Sequence, residues 1–291
     1  MTYDVIVVGG GPAGLSGAVA LGRALRSVVV IDSGSPRNAP AAGIRNFLTR
    51  DGISPAEFTA AGRAEVRAYG GELLDGTVVA VRDAFTVELA DGRTVDGRRL
   101  LVTTGLSDEL PAIPGLRERW GSTVLHCPYC HGWEARGTAI GVIAGSPYAG
   151  HAAALWRQWS PDVTLFLNDE YDPGTSLDGR GITVVEGKVI EVGDDGVHLA
   201  DGTVVPREYL AVQTRLSTRT DGLDLPVEEH PMGVGTRVVT VDPTGRTPVP
   251  GVWVAGNVAD PTAQVISSAA AGLTAGAAIN LDLIGYQPSS R

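Results

Sequence analysis

Cys127 and Cys130 are the two cysteines of the 291-residue chain, and two residues separate them. A pair at this spacing can alternate between a disulfide and two thiols, and the thiolate is the form that attacks another sulfur. Histidines flank the pair at His126 and His131. An imidazole titrates near neutral pH and can take a proton from a thiol. The pattern predicts a redox-active pair, with His131 as the first candidate for the general base and His126 as the second.

The same segment allows other interpretations. A lone C-x-x-C pair also occurs in metal sites, but structural zinc needs four ligands and only His126 and His131 lie nearby in sequence, so no metal is predicted. Either histidine is also compatible with an ordinary residue at a helix start, His126 more so than His131. Two aromatic residues beside the pair, Tyr129 and Trp133, are candidate contacts for a substrate.

A glycine-rich segment follows the apolar run Val5 to Val8 and precedes a helical pattern. Its G-x-G-x-x-G spacing is typical of a dinucleotide-binding βαβ unit, in which the helix start offers N–H groups to the phosphates. The next apolar run ends at Asp32, where a carboxylate would accept hydrogen bonds from the ribose hydroxyls. The pattern predicts a dinucleotide site that includes Gly9, Gly11, Pro12, Ala13, Gly14 and Asp32.

Alternating strand and helix patterns predict the elements that position these residues. The first βαβ unit is followed by two hairpins that turn at Asp-Gly pairs, and a second βαβ-like unit follows the cysteines. We therefore predict an α/β fold of two doubly wound, Rossmann-like dinucleotide-binding domains of three-layer ββα architecture, the second inserted into the first. The predicted bounds are 1–112 and 234–291 for the first domain and 113–233 for the second. The main predicted elements are strands Val5–Val8, Ser27–Ile31, Arg99–Thr103, Ala139–Ala144, Val163–Leu167, Tyr209–Val212 and Val252–Ala255, and helices Pro12–Arg23, Ala56–Tyr69, Ala149–Trp159 and Ala263–Leu283.

Composition narrows the classes of function. A formal net charge of −10 argues against nucleic acid or an anionic membrane surface as a partner. Neither a signal-peptide pattern nor an uninterrupted apolar run of membrane-spanning length is present, so we expect a cytoplasmic protein. A chain of this length can bury a core without disulfide staples, which frees the cysteines for chemistry.

Segments far apart in the sequence resemble the flavin-binding elements of flavoproteins with two dinucleotide-binding domains. Thr104-Gly105 resembles their Ala-Thr-Gly turn, and Gly256-Asn257 resembles their usual Gly-Asp pair, with Asn257 in place of the acid. Gln264-Val265 opens the last helix, whose N-terminus would stabilise negative charge on a reduced flavin. Asn46 falls in the long loop where such proteins contact the flavin. The resemblance implies FAD as the cofactor.

Cys127-Pro128-Tyr129-Cys130, placed between the Thr-Gly turn and the second βαβ unit, resembles the low-molecular-weight thioredoxin reductase family over essentially the whole chain. The resemblance implies a homodimer and a disulfide adjacent to the flavin. It also implies that Cys130 lies next to the flavin and that Cys127 exchanges with the substrate.

Three segments depart from that family in the lobe that would bind NADPH. The glycine fingerprint reads Ala144-Gly145-Ser146-Pro147-Tyr148-Ala149, in which side chains obstruct phosphate and Pro147 lacks an N–H. Asn168-Asp169-Glu170 replaces a His-Arg-Arg cluster and would repel a 2′-phosphate. A third glycine position reads Gln213-Thr214-Arg215. These changes predict that NADPH binding is lost.

His131 stands where the reductases carry an acid. The string from His126 to Glu134, together with the altered lobe, resembles the dithiol oxidases of gliotoxin- and holomycin-type biosynthesis. This resemblance implies an enzyme that closes a disulfide in a small dithiol and passes the electrons through FAD to dioxygen, giving hydrogen peroxide. A disulfide reductase that uses NADPH or ferredoxin and a redox-sensing flavoprotein remain as alternatives. The sequence does not identify the dithiol.

Overall fold

The computed structural model describes residues 1–82, 85–146, 148–169, 177 and 179–285. The chain forms two compact units. Unit 1 comprises Met1–Ala39, Ser54–Ser107 and the chain from Leu216 onward. Unit 2 comprises Pro40–Ile53 and Asp108–Arg215.

Helices and strands alternate over most of the chain. The helices are α1 (Pro12–Arg23), α2 (Pro55–Ala68), α3 (Pro128–His131), α4 (Ala149–Trp156) and α5 (Val265–Leu283). The strands of the first half are β1 (Thr2–Val8), β2 (Val28–Asp32), β3 (Glu72–Asp75), β4 (Val78–Arg82), β5 (Thr86–Leu89), β6 (Thr94–Val102), β7 (Leu106–Glu109), β8 (Val124–Leu125) and β9 (Ile140–Ile143). Those of the second half are β10 (Val163–Phe166), β11 (Ile182–Val185), β12 (Val189–Val192), β13 (Val197–Leu199), β14 (Val204–Val205), β15 (Tyr209–Val212), β16 (Arg215–Thr218), β17 (Val227–Glu229), β18 (Thr236–Val238) and β19 (Val252–Val254).

Unit 1 is built on a mixed sheet with the order β3-β2-β1-β6-β5-β4, in which β19 also pairs with β6. The strands β3, β2, β1, β6 and β19 run parallel, whereas β5 is antiparallel to both β4 and β6. β1 is buried at its carboxyl half because Val5 to Val8 are all apolar. α1 packs closely on α5. This sheet brings the carboxyl ends of β1, β2, β6 and β19 to one edge, where dinucleotides bind in such folds.

Unit 2 contains a parallel sheet with the order β11-β10-β9-β15-β8 and a small antiparallel sheet, β12-β13-β14. α4 packs on β9 and β10. The β9 and β10 side chains are buried throughout, as expected for central strands of a parallel sheet. The predicted fold class, two α/β dinucleotide-binding folds with the second inserted into the first, is confirmed.

Most element bounds lie within three residues of the prediction, and β6 begins at Thr94, five residues before the predicted Arg99. α4 ends at Trp156 instead of Trp159, and the chain then turns, with the N–H groups of Trp159 and Ser160 both donating to the Trp156 carbonyl oxygen. α5 begins at Val265, two residues later than predicted, because Asp260 to Ala263 form a hydrogen-bonded turn. The compact units divide after Ser107 and Arg215, and Pro40–Ile53 belongs to unit 2. The predicted domain bounds at 112 and 233 do not coincide with these divisions and stay a prediction.

Across the described ranges, no helix combines the length and the apolar character needed to cross a bilayer. Within the same residues, no cluster of three or more His, Cys, Asp or Glu side chains is arranged to hold a metal ion.

Candidate active site

The turn after β1 depends on glycine at both of its ends. Gly9 has a φ of +105°, and a Cβ there would lie 2.5 Å from the carbonyl oxygen of Thr103. A Cβ at Gly14 would lie 1.9 Å from the carbonyl oxygen of Gly9. The Thr103 hydroxyl donates to the Gly9 carbonyl at 2.8 Å. Helix α1 therefore approaches β1 and β6 as closely as the fingerprint predicts.

Gly11 stands in a different environment, because a Cβ added there would meet no atom within 4 Å. Gly11 is the N-cap of α1, and Pro12 occupies the first turn. No side chain of the described residues caps this helix start. Its N–H groups are therefore available to an anion at the open side of the turn.

Asp32 ends β2 beside the same turn. Its Oδ1 accepts a hydrogen bond from the Gly10 N–H at 3.0 Å, and its Oδ2 lies 3.6 Å from Nη1 of Arg63. The side chain is largely buried, with 17% of its surface exposed. The carboxylate is held in one orientation and keeps lone pairs for a further donor.

The chain after β6 supplies two more of the predicted residues. Gly105 adopts a φ of +74°, a turn conformation that favours glycine. The hydroxyl oxygen of Thr104 is buried and has no hydrogen-bond partner among the described residues. A buried polar atom without a partner is costly, so its presence at this edge fits a ligand that completes the bond.

Asn257 organises the approach to α5. Its Nδ2 donates to the carbonyl oxygens of Ala263 at 2.8 Å and Asp260 at 3.1 Å, with a longer contact of 3.4 Å to that of Pro261. The aspartate that this position usually carries could not make these donations. Asn257 therefore fixes the turn that presents the start of α5, whose N-cap is Gln264.

Helices α1 and α5 touch through glycines that the sequence analysis did not single out. A Cβ at Gly272 would lie 2.0 Å from the carbonyl oxygen of Ala13, and a Cβ at Gly17 would lie 3.0 Å from that of Gly272. A Cβ at Gly256 would lie 2.9 Å from the Ala13 Cβ. These close approaches fix the fingerprint helix against the C-terminal segment that is predicted to bind the flavin. In the sequence, the signal for this contact was the many small residues in both helices.

Except for Asn46, which belongs to unit 2, the predicted cofactor residues lie in unit 1 near one sheet edge, with an open turn, an uncapped helix start and a buried hydroxyl that lacks a partner among the described residues. These features fit a flavin dinucleotide. Which of the individual residues contact it stays a prediction.

In unit 2, Cys127 and Cys130 form a disulfide across the first turn of α3. Cys127 is the N-cap, and its Sγ accepts a hydrogen bond from the Cys130 N–H at 3.2 Å. Both residues are partly exposed. A thiolate at Cys127 would keep this N–H donor, which favours the charged form. The pair can therefore exchange with a thiol from solvent.

His131 follows the disulfide directly and is half-buried. Burial lowers the pKa of His131 below the ordinary value of 6.5, the nearby Glu134 carboxylate opposes this, and the Arg45 guanidinium adds to it. The imidazole is consequently neutral at pH 7 and can accept a proton.

Segment Pro40–Ile53 contacts the disulfide region through side chains. Asn46 Nδ2 donates to the Tyr129 carbonyl oxygen at 2.8 Å, and Arg45 Nε lies 2.9 Å from Glu134 Oε1. Asn46 adopts a φ of +60°, and its own N–H donates to Asp51 Oδ1 at 2.8 Å. The flavin contact expected for Asn46 stays a prediction, whereas its bond to the loop of the redox pair was not anticipated.

Aromatic side chains surround α3. The Trp159 ring packs edge-on to Tyr129 at 5.8 Å between centroids, and it fills the space beside Gly132, where a Cβ would lie 2.6 Å from the indole. Trp133 is 68% exposed, and the Arg136 guanidinium lies 4.1 Å from its ring centroid. Tyr129 is 60% exposed. Both predicted substrate contacts thus face solvent beside the disulfide.

His126, the second candidate for the base, is exposed, and its ring lies 5.6 Å from that of Trp120. His131 is the more buried of the two histidines that flank the pair. Burial disfavours the charged imidazolium, so the environment of His131 suits a base better.

The turn between β9 and α4 stands where a second glycine fingerprint was expected, and side-chain hydrogen bonds close it. The Ser146 hydroxyl accepts from the Tyr148 N–H at 3.1 Å and donates to Gln213 Oε1 at 2.6 Å. This N–H would face a phosphate in a dinucleotide site, but here it already has a partner. Pro147, part of the same prediction, lies outside the described residues.

The role predicted for Asn168 is wrong. Asn168 was expected to help repel a phosphate, but it is 3% exposed and its Oδ1 accepts from the Val189 N–H at 3.1 Å. The side chain therefore supports β12 and is not presented to a ligand. Asp169 is exposed, and Glu170 lies outside the described residues.

Comparison with known proteins gives a consistent relationship. Residues 3–276 match the family model described as pyridine nucleotide-disulphide oxidoreductase. The chain is 35% identical to thioredoxin reductase tcpT of Claviceps purpurea, covering 87% of this chain and 86% of that protein. It is 30% identical to thioredoxin reductase sirT of Leptosphaeria maculans, covering 99% and 97%.

Solved structures agree. The crystal structure of HlmI is 44% identical with a TM-score of 0.91, covering 98% of this chain and 93% of that one. The oxidoreductase from Agrobacterium tumefaciens is 38% identical with a TM-score of 0.93, covering 99% and 100%. The resemblance predicted from residues 126–134, to thioredoxin reductase-like enzymes of gliotoxin- and holomycin-type biosynthesis, is confirmed as a relationship. The chain is thus an oxidoreductase whose relatives imply a flavin cofactor, and it belongs to the pyridine nucleotide-disulphide oxidoreductase family.

Proposed function

We propose that the protein is an FAD-dependent dithiol oxidase that forms an intramolecular disulfide in a small dithiol and delivers the electrons to dioxygen. The observation that carries the proposal is the partly exposed Cys127–Cys130 disulfide followed directly by His131, whose pKa burial lowers. An oxidised pair beside a neutral imidazole is poised to accept electrons from a thiol.

His131 acts on the incoming substrate. A free thiol titrates near 8.5, so at neutral pH only a few per cent of it is thiolate. Neutral His131 takes the proton of one substrate thiol, and the thiolate attacks Cys127 Sγ. The Cys127–Cys130 bond breaks as a mixed disulfide forms, and Cys130 leaves as a thiolate. A positioned base of this kind contributes about 10²–10⁴-fold to the rate.

The second substrate thiol completes the exchange. As its thiolate attacks the substrate sulfur bound to Cys127, the cyclic disulfide forms and Cys127 leaves as a thiolate. The Cys130 N–H, 3.2 Å from Cys127 Sγ in the disulfide, supports that leaving group. The two enzyme cysteines, now reduced, hold the two electrons of the substrate dithiol. Its two protons are on these sulfurs, on His131 or in the solvent.

The residues proposed to hold FAD lie in unit 1: the turn from Gly9 to Gly14, Asp32, Thr104, Asn257 and the start of α5. The proposal requires Cys130 to reach the flavin during turnover, as the resemblance implies. When bound, FAD supplies two-electron chemistry that accepts electrons from a dithiol and reduces dioxygen to hydrogen peroxide. The homodimer and the cytoplasmic location implied earlier are retained as predictions.

The turn between β9 and α4 supports the entry of electrons from a dithiol instead of from NADPH. Ser146 already occupies the Tyr148 N–H, and its bond to Gln213 closes the turn further. A reductase that takes its electrons from NADPH would need the phosphates of that cofactor at this position. The relatives tcpT and sirT are nevertheless named thioredoxin reductases, so a thioredoxin or small-disulfide reductase is the second candidate, with NADPH or ferredoxin as the donor.

Turnover in air tests the proposal. The purified flavoprotein is incubated with dithiothreitol and with a panel of small dithiols, and disulfide, oxygen consumption and hydrogen peroxide are measured together. We expect one hydrogen peroxide for each disulfide, and no turnover in the Cys127→Ser variant. Disulfide formation without oxygen consumption would exclude an oxidase.

A further inference from the structure

Arg45, in segment Pro40–Ile53, carries a charge that lowers the pKa of His131. Its Nε lies 2.9 Å from Glu134 Oε1, and its Nη1 lies 3.9 Å from Asp51 Oδ2. The guanidinium also packs beside Gly52, where a Cβ would lie 3.0 Å from Nη1. Arg45 is thus held by its own segment and forms an ion pair with the Glu134 carboxylate, which follows α3.

Glu134 is one turn beyond His131, and its N–H donates to the His131 carbonyl oxygen at 3.1 Å. A carboxylate at this spacing favours a protonated imidazole, and the charge of Glu134 acts on His131 in that sense. The site therefore contains a carboxylate that works against a neutral base.

We propose that Arg45 is a positioning residue that pairs with Glu134 and thereby keeps the imidazole of His131 available as a base. The inference rests on the proposed function, in which His131 deprotonates the substrate. It extends that function by making a residue far upstream in the chain a determinant of the site's working pH range.

The strength of the ion pair points to this role over a purely structural one. The side chains of Arg45 and Glu134 are 30% and 38% exposed. Ion pairs with this degree of exposure contribute little to stability. The charge of Arg45 nevertheless acts directly on His131 and also neutralises Glu134, so both effects disfavour the imidazolium.

The charged groups around His131 set the direction of the effect. They are Glu134, Arg45, Asp51 through its contact with Arg45, and the two cysteine sulfurs when the disulfide is reduced. Without Arg45 the Glu134 charge is uncompensated, so His131 would hold its proton to higher pH. The acid limb of the rate profile would move to higher pH as well, because the base is active only when neutral.

The experiment is an NMR pH titration of the His131 ring in the air-oxidised protein, where the cysteines do not titrate. Arg45→Gln should raise the midpoint, and Arg45→Lys, which keeps the charge, should restore most of the wild-type value. Arg50→Gln removes the same charge from an exposed position of the same segment and should leave the midpoint unchanged. A rise of half a unit would change the neutral fraction about threefold at acid pH, which is readily measured.

A second background separates pairing from a general disturbance. In Glu134→Gln the effect of Arg45→Gln should shrink, because the carboxylate that it exposes is gone. An equal shift in both backgrounds, or none in Arg45→Gln, would overturn the inference. If the midpoints move as expected while the pH dependence of dithiol oxidation stays fixed, Arg45 still positions Glu134, and the base role of His131 in the proposed function is what fails.

Discussion

Replacing Gly11 by valine should separate the flavin site from the stability of the fold. A Cβ at Gly11 meets no atom within 4 Å, and its φ of −81° and ψ of −172° are extended backbone that any residue adopts. Gly11 caps α1 without a side-chain bond, so its replacement costs at most about 1 kcal/mol of helix stability. The flavin-free variant should therefore unfold at nearly the wild-type urea concentration.

Flavin binding should suffer far more. The valine side chain fills the space that the fingerprint reserves for the pyrophosphate, beside the uncapped N–H groups of α1. Each charge-assisted hydrogen bond to a phosphate contributes about 1.5–3 kcal/mol. Loss of one such bond lowers the flavin affinity about ten- to hundredfold, and loss of two compounds the effect. The purified variant should be colourless or nearly so.

Gly272→Ala provides the contrasting control. Its Cβ would lie 2.0 Å from the Ala13 carbonyl oxygen, so α1 and α5 must separate. Overpacking of this kind costs about 1–3 kcal/mol, and it should appear in the flavin-free protein. The assays are urea unfolding by circular dichroism and flavin titration by absorbance. Full flavin affinity in Gly11→Val would refute the fingerprint assignment. A loss of stability in Gly11→Val equal to that in Gly272→Ala would refute the inference that a side chain at position 11 fits without a clash.

The remaining predictions concern the redox pair, the base and the turn before α5. Cys127→Ser should leave a Cys130 thiolate that gives a long-wavelength charge-transfer absorbance with bound flavin, and Cys130→Ser should not; the reverse pattern would exchange their roles. His131→Ala should slow dithiol oxidation most at acid and neutral pH and recover in alkali, where substrate thiols ionise unaided. The acid limb of the wild-type rate profile should have its midpoint below pH 6.5, because burial lowers the pKa of His131 from that value, and an unchanged profile in the variant would remove His131 from the mechanism. Asn257→Asp should destabilise the folded protein by about 1–3 kcal/mol, because a carboxylate replaces a donor to neighbouring carbonyls, and unaltered thermal unfolding would contradict that role.

The fold could be predicted because its main signals are local. An apolar run ending in a glycine fingerprint specifies strand, turn and helix within a short stretch, and the structure forms β1 and α1 where the sequence indicates. The Asp-Gly pairs likewise locate the hairpins between β5 and β6 and between β13 and β14. The redox pair is recognisable for the same reason, since Cys127, Cys130 and His131 are neighbours in the chain.

What the sequence left open depends on pairs of residues that are distant in the chain. The contact of Arg45 with Glu134 and that of Asn46 with Tyr129 exist because segment Pro40–Ile53 packs into unit 2, which no local pattern indicates. The burial of Asn168 against β12 has the same origin. A polar residue in a strand-end position is ordinarily exposed, so tertiary packing alone decided its role.

The central claim is that electrons enter from a dithiol and not from a nicotinamide. Its most direct test is anaerobic stopped-flow mixing of the purified flavoprotein with dithiothreitol or with NADPH, followed at the flavin absorbance band. The account predicts bleaching by the dithiol, dependent on Cys127 and reversed by admitting oxygen, and negligible bleaching by NADPH because Ser146 and Gln213 close the second turn. Rapid bleaching by micromolar NADPH, with no response to dithiol, would contradict the account and establish a reductase.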